Sequence, residues 1–150
     1  MKVFETLDAL ADAAGTEIGT SDWHTIDQDR IDRFADVTGD HQWIHVDPER
    51  TRRELAMSTI AHGYLTLSLL PLLMGEIYSV PSIKRAINYG SNKVRFLNMV
   101  PVGSRIRGRL AVRKADRGEG TLRLISDVTV EIEGEDRPAL VAETIVLYFD

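Results

Sequence analysis

The stretch AHGYLTLSLLPLLMGEI, residues 61–77, constrains the fold of this chain more than any other. It reads as a helix whose apolar side chains lie nearly all the way round instead of along one stripe. Such a helix has to be enclosed, so the rest of the chain must supply a surface that wraps it. The apolar window 60–75 is too short and too interrupted to span a bilayer. Pro71 inside the run predicts a kink or a break.

The wrapping surface is legible after Pro81, where the hydrophobic period drops to two. In RIRGRLAVRK, Ile106, Leu110 and Val112 alternate with Arg105, Arg107, Arg109 and Arg113. In TLRLISDVTVEIE, Leu122, Leu124, Val128, Val130 and Ile132 share one side. ADRGEG between them reads as a hairpin turn, and EGEDRP as a second turn before the strand ALVAETIVLYF. A further strand is expected at about 84–97 and a short one near 20–25. Upstream, Asp27 is an N-cap for QDRIDRFADVT, with Ile31, Phe34, Ala35 and Thr38 as its apolar face and Gly39 as its stop. A loop follows, and then Asp47-Pro48-Glu49 starts a short helix through Glu54. Helices first and long strands after predict an α+β fold, an antiparallel sheet around one buried helix, in a single domain over 1–150.

The remaining bulk properties narrow the function classes. The chain has no cysteine, which removes disulfide and thiolate chemistry, and its N-terminus carries acids and no secretory apolar run. Both points favour a cytoplasmic protein. Net charge is −5, yet residues 84–117 hold ten Lys/Arg against the single acid Asp116. Such a basic sheet either meets an anionic ligand or is a solvated face balanced by carboxylates elsewhere. Nucleic acid is not expected as a partner, because aromatics are not interleaved with the cations.

Chemistry concentrates in TGDHQWIH, 38–45, where a carboxylate, Asp40, precedes an imidazole, His45, by five residues. Across a turn the two can share one water and move protons near neutral pH. The plain alternative is a polar loop. Metal is a rival use, with Asp40, His41, His45 and His62 as ligands, but no HExxH pattern is present and no metal is expected. Ser58 and Ser68 lack a nucleophile elbow, which argues against a Ser-His-Asp triad. His62 and Gly63 begin the apolar helix, where free N–H groups and the absence of a side chain let a carbonyl oxygen approach and gain charge. The alternative there is that Gly63 serves tight packing and His62 is a structural histidine.

Three segments in order, FADVTGDHQWIHVDPE (34–49), IAHGYLTLSL (60–69) and VRFLNMVPVGSRIR (94–107), resemble the MaoC-like dehydratases, or (R)-specific enoyl-CoA hydratases, and among them the branch related to nodulation protein N. The resemblance covers roughly residues 20–149. It implies a hot-dog fold, a homodimer with a joint sheet, and an acyl-CoA thioester substrate in fatty acid metabolism, with no cofactor. Carried over residue by residue, Asp40 and His45 hold the water that adds to a trans-2-enoyl thioester, and Gly63 N–H, beside His62, meets the thioester oxygen. Where the family reads Asp-x-Asn-Pro-x-His, this chain has Gln42 and Trp43. Gln42 keeps an amide for the water or for Asp40, whereas Trp43 bears on loop shape and acyl specificity. A serine that some members carry eight positions after the glycine is here Pro71. The activity implied is reversible hydration of an enoyl-CoA to the (R)-3-hydroxyacyl-CoA, a hydro-lyase. A hot-dog thioesterase and a non-catalytic acyl-thioester-binding subunit are the alternatives.

Overall fold

The computed structural model describes residues 1–150. In chain order the elements are β1 (Lys2–Val3), α1 (Leu7–Ala11), β2 (Glu17–Thr20), β3 (His24–Thr25), α2 (Gln28–Thr38), α3 (Trp43–Val46), α4 (Pro48–Leu55), α5 (Gly63–Ser68), α6 (Leu70–Ile77), β4 (Tyr78–Ser79), β5 (Arg85–Phe96), β6 (Arg105–Gly118), β7 (Thr121–Ile132) and β8 (Leu140–Phe149). One antiparallel sheet runs β2-β6-β7-β8-β5, with β3 also paired to β6. The two-residue β1 and β4 pair in parallel outside it.

The alternation of the long strands decides which face of the sheet turns inward. Ile106, Leu110 and Val112 of β6 and Leu122, Leu124, Val128, Val130 and Ile132 of β7 are all buried. Pairing continues outward to Gly118 against Thr121. That leaves Glu119-Gly120 as the link, with Gly120 at φ +64°, so the hairpin is tighter than the six-residue turn expected.

The apolar run lies on that inward face. Leu65, Leu70, Leu73 and Ile77 are buried in the common core. The break falls at Leu69, and Pro71 is the second residue of α6, where its missing N–H costs no helical bond. Leu69 N–H still reaches Leu65 O and Leu73 N–H reaches Leu69 O, so the two pieces keep nearly one axis. Gly108 of β6 sets how closely α6 approaches: a Cβ there would stand 2.6 Å from Met74 Cε and 3.0 Å from Leu73 Cβ.

Four expectations need correction. The strand near 20–25 is two short ones, β2 and β3. Thr38 is exposed, so the buried face of α2 rests on Ile31 and Ala35 with Phe34 half-buried. The stretch after Gly39 is not all loop, because Trp43–Val46 makes one helical turn. α6 is not alone inside the sheet either, since Leu7 and Leu10 of α1 are also fully buried.

Candidate active site

The site grows from three local stops. Asp27 caps α2 by accepting from Arg30 N–H at 2.9 Å, and Gly39 ends the helix at φ +77°. The chain therefore turns sharply into Asp40. α3 then raises His45, and the segment Thr59–Ala61 passes beneath it. That segment is laced on both sides: Ile60 N–H donates to Ile44 O, Ala61 N–H to Val100 O, and Val102 N–H to Thr59 O. The third motif, around Val100–Gly103, thus holds the approach to Gly63.

His45 is buried, and its Nδ1 lies 2.7 Å from the carbonyl oxygen of Ile60. A carbonyl only accepts, so Nδ1 carries the hydrogen and the neutral ring has its free lone pair on Nε2. Burial pushes this imidazole below its ordinary 6.5; the Ile60 bond works against that shift and the nearby His62 ring works with it. His45 therefore stands neutral at pH 7, with one nitrogen ready to accept.

His62 stacks on His45 at 3.9 Å between ring centres and 26° between planes. Its Nε2 donates to the main-chain carbonyl of Asp40 at 2.9 Å. Its Nδ1 is buried and makes no hydrogen bond. The histidine that opens the apolar helix is thus tied to the loop bearing the carboxylate. A carboxylate oxygen of Asp40 and one ring nitrogen from each of His45 and His62 lie within 4.8 Å of one another. A water making two hydrogen bonds of about 2.8 Å at a tetrahedral angle spans about 4.6 Å, which falls inside that limit. The same groups are the candidate metal ligands. Because His62 Nε2 is bonded to the Asp40 carbonyl, only its Nδ1 is free to act as a ligand. His41 is outside the cluster, exposed, and paired with Asp36 at 3.0 Å.

Gln42 is the N-cap of α3, and its main-chain N–H points to Asp40 Oδ1 at 3.4 Å; its side chain makes no capping bond. Trp43 has the Arg50 guanidinium 4.5 Å over its ring. Gly63 is the first residue of α5, so its N–H has no intrahelical acceptor. The Phe96 ring covers it so closely that a Cβ would meet ring atoms at 3.0–3.1 Å.

Two supporting residues escaped the sequence reading. Gln28 donates to the carbonyl of His45 at 2.7 Å and accepts from Thr59 Oγ1 at 2.5 Å, joining both sides of the site. Phe96 belongs to a quoted motif, but nothing in its spacing places it over Gly63. The β6 arginines of the basic segment resolve into ion pairs. Arg105 meets Glu133, Arg107 and Arg109 share Glu131, Arg113 meets Asp127 and Glu143, and Arg117 meets Asp8 and Asp150. The reading of a face balanced by carboxylates describes β6.

A cavity of about 890 Å³ lies nearby and is not lined by Asp40, His45, His62 or Gly63. It starts at Leu67 and Ser68, one turn beyond Gly63, and runs between α6 and strands β5 and β8 to Tyr78 and Tyr148. No helix is long and apolar enough to cross a membrane.

Known proteins share sequence and fold with this chain. Residues 9–133 match the family model described as MaoC like domain. The chain is 54% identical over 149 residues to 3-hydroxyacyl-thioester dehydratase Z of Mycobacterium tuberculosis, covering 99% of both chains. It is 48% identical over 142 residues to nodulation protein N of Rhizobium leguminosarum bv. viciae, covering 91% of this chain and 87% of that one. In structure it resembles the (R)-hydratase from A. caviae involved in PHA biosynthesis, with a TM-score of 0.71 at 22% identity, over 88% of this chain and 96% of that one. The fold is the hot-dog fold that the sequence resemblance implies.

Proposed function

This chain belongs to the MaoC-like dehydratase family, and from that premise we propose that it catalyses the reversible hydration of a trans-2-enoyl-CoA to the (R)-3-hydroxyacyl-CoA. The observation that carries the reading is the pairing of a neutral His45, with its lone pair on Nε2, and the Asp40 carboxylate, which has an oxygen within 4.8 Å of a His45 ring nitrogen, beside the open end of α5.

In the hydration direction, one water donates its two O–H groups to His45 Nε2 and to Asp40. Its oxygen bonds to C3 while the pair takes one proton. The C2–C3 π electrons move toward the thioester, whose oxygen gains negative charge and accepts from Gly63 N–H. The pair then returns one proton to C2, and charge is restored everywhere. The proton pair contributes on the order of 10²–10⁴ in rate. The Gly63 donor contributes about 3–4 kcal/mol of barrier. His62 and Gln42 act through Asp40: His62 fixes its carbonyl, and Gln42 N–H lies against its carboxylate.

The whole chain 1–150 is read as one such domain working as a homodimer. Support comes from β5, a twelve-residue edge strand that leaves Ile87 and Tyr89 at 45% and 63% exposure. An uncovered edge of this kind is a template for pairing with a second copy.

The test is hydration of crotonyl-CoA followed by loss of the conjugated thioester absorbance, with the product resolved by stereochemistry. Asp40→Asn and His45→Gln are each expected to lower kcat by 10²–10⁴ while thermal unfolding stays cooperative. Wild-type release of free thiol would assign a thioesterase instead, and full activity in either variant would remove the proposed roles.

A further inference from the structure

The cavity beyond Gly63 has a far wall that the reaction does not use. Tyr78, from β4, and Tyr148, from β8, both line it and are 9% and 7% exposed. Their hydroxyls bond to each other and to no other group. Two phenols hold two hydroxyl hydrogens, and one mutual bond consumes only one. The pair therefore keeps one O–H without a protein acceptor at a buried wall, where leaving a donor unsatisfied is costly. Burial pushes both phenols above their ordinary range, so both remain protonated donors in any physiological medium. Ser126, itself 3% exposed, and Thr144 lie on the same lining, opposite the apolar Leu67, Leu70 and Met74.

The cavity runs along the helix axis away from the Gly63 end. Fifteen residues of near-continuous helix separate Gly63 from Tyr78, about 22 Å. An extended acyl chain of about a dozen carbons covers most of that path. Its volume, about 890 Å³, is at the upper end for a small-molecule site. Resting on the thioester reading above, with the distal part of the acyl group lying in this cavity, we propose that Tyr78 and Tyr148 select acyl groups carrying an oxygen acceptor, such as a ketone, near that far end.

The probes are trans-2-dodecenoyl-CoA and its counterparts with a ketone at the seventh, ninth or eleventh carbon. Calorimetric binding is measured beside turnover. At least one ketone position is expected to bind about 3- to 10-fold tighter than the plain chain, with a maximum at a single position. The double variant Tyr78→Phe/Tyr148→Phe should erase that preference. Either single variant should keep part of it, because the remaining phenol still has its hydrogen. Equal binding of plain and ketone chains by wild type would overturn the proposal, whatever the variants do. So would a preference that survives in a folded double variant. Crotonyl-CoA ends far short of the phenols. Its hydration therefore reports on the reaction, and the binding series reports on the cavity even where turnover is absent.

Discussion

Replacing Gly63 by alanine separates two uses of that glycine. Its φ lies outside the left-handed region, so the backbone accepts an L side chain without strain. Alanine also has the better helix propensity, by up to about 1 kcal/mol in a helix interior and less at the first position. Against this, the new Cβ would sit 3.0–3.1 Å from three Phe96 ring atoms, which must give way by a few tenths of an ångström. Phe96 is 46% exposed on an edge strand and can turn, at about 1 kcal/mol for a modest departure from its rotamer. The two terms nearly cancel, so unfolding stability should stay within about 1 kcal/mol of the parent. Activity should not. A helical Cα–Cβ bond leans toward the N-terminus, which puts the methyl beside the N–H where the thioester oxygen must arrive. Loss of one such donor costs about 3–4 kcal/mol, or roughly 10²–10³ in kcat. Crotonyl-CoA turnover and a urea melt on the same preparation give both numbers. The double variant Gly63→Ala/Phe96→Ala adds a control: relieving the ring contact should not restore kcat if the methyl itself blocks the donor. A stable Gly63→Ala protein within threefold of parental kcat would refute the reasoning, and recovery in the double variant would move the role from the N–H to the ring.

Three further outcomes can be checked. His45 has a folded pKa below its unfolded 6.5, so the unfolded state takes up protons first. Stability should be full above about pH 6.5 and decline as pH falls through the lowered value, and pH-dependent denaturation of His45→Gln should lack that component. Gly108→Val should destabilise by about 1–3 kcal/mol in urea unfolding, because the added carbons enter the Leu73 and Met74 contact. Gln28→Ala should lower kcat more than it raises KM for crotonyl-CoA, since it frees the His45 backbone and Thr59 without touching the acyl path.

What the sequence revealed and what it concealed divide along the range of the interactions. Asp27, Gly39, Pro48 and Pro71 act on the three or four residues beside them, and the helices begin and end where those residues dictate. Alternation in β6 and β7 likewise fixes the inward face from within each strand. By contrast α1 is five residues long, and its Leu7 and Leu10 gain their burial only from a sheet formed a hundred residues later. The carboxylate partners of the β6 arginines depend on strand register, which spacing within β6 does not encode. At the site, Asp40 and His45 are visible as a spacing. The tautomer of His45 is not, because it is set by the Ile60 carbonyl on a segment fifteen positions away. The tether from His62 to the Asp40 carbonyl and the cover of Phe96 over Gly63 are hidden for the same reason.

The bond from His45 to Ile60 has one more consequence. A peptide oxygen has no hydrogen to lend, so this imidazole is one-ended and exchanges hydrogen with the outside only through Nε2. A ring held in this way cannot pass a hydrogen through itself to bulk solvent. A hydrogen taken at Nε2 leaves by the same door, which suits a reaction that borrows one and gives it back and would hinder one that must discard it.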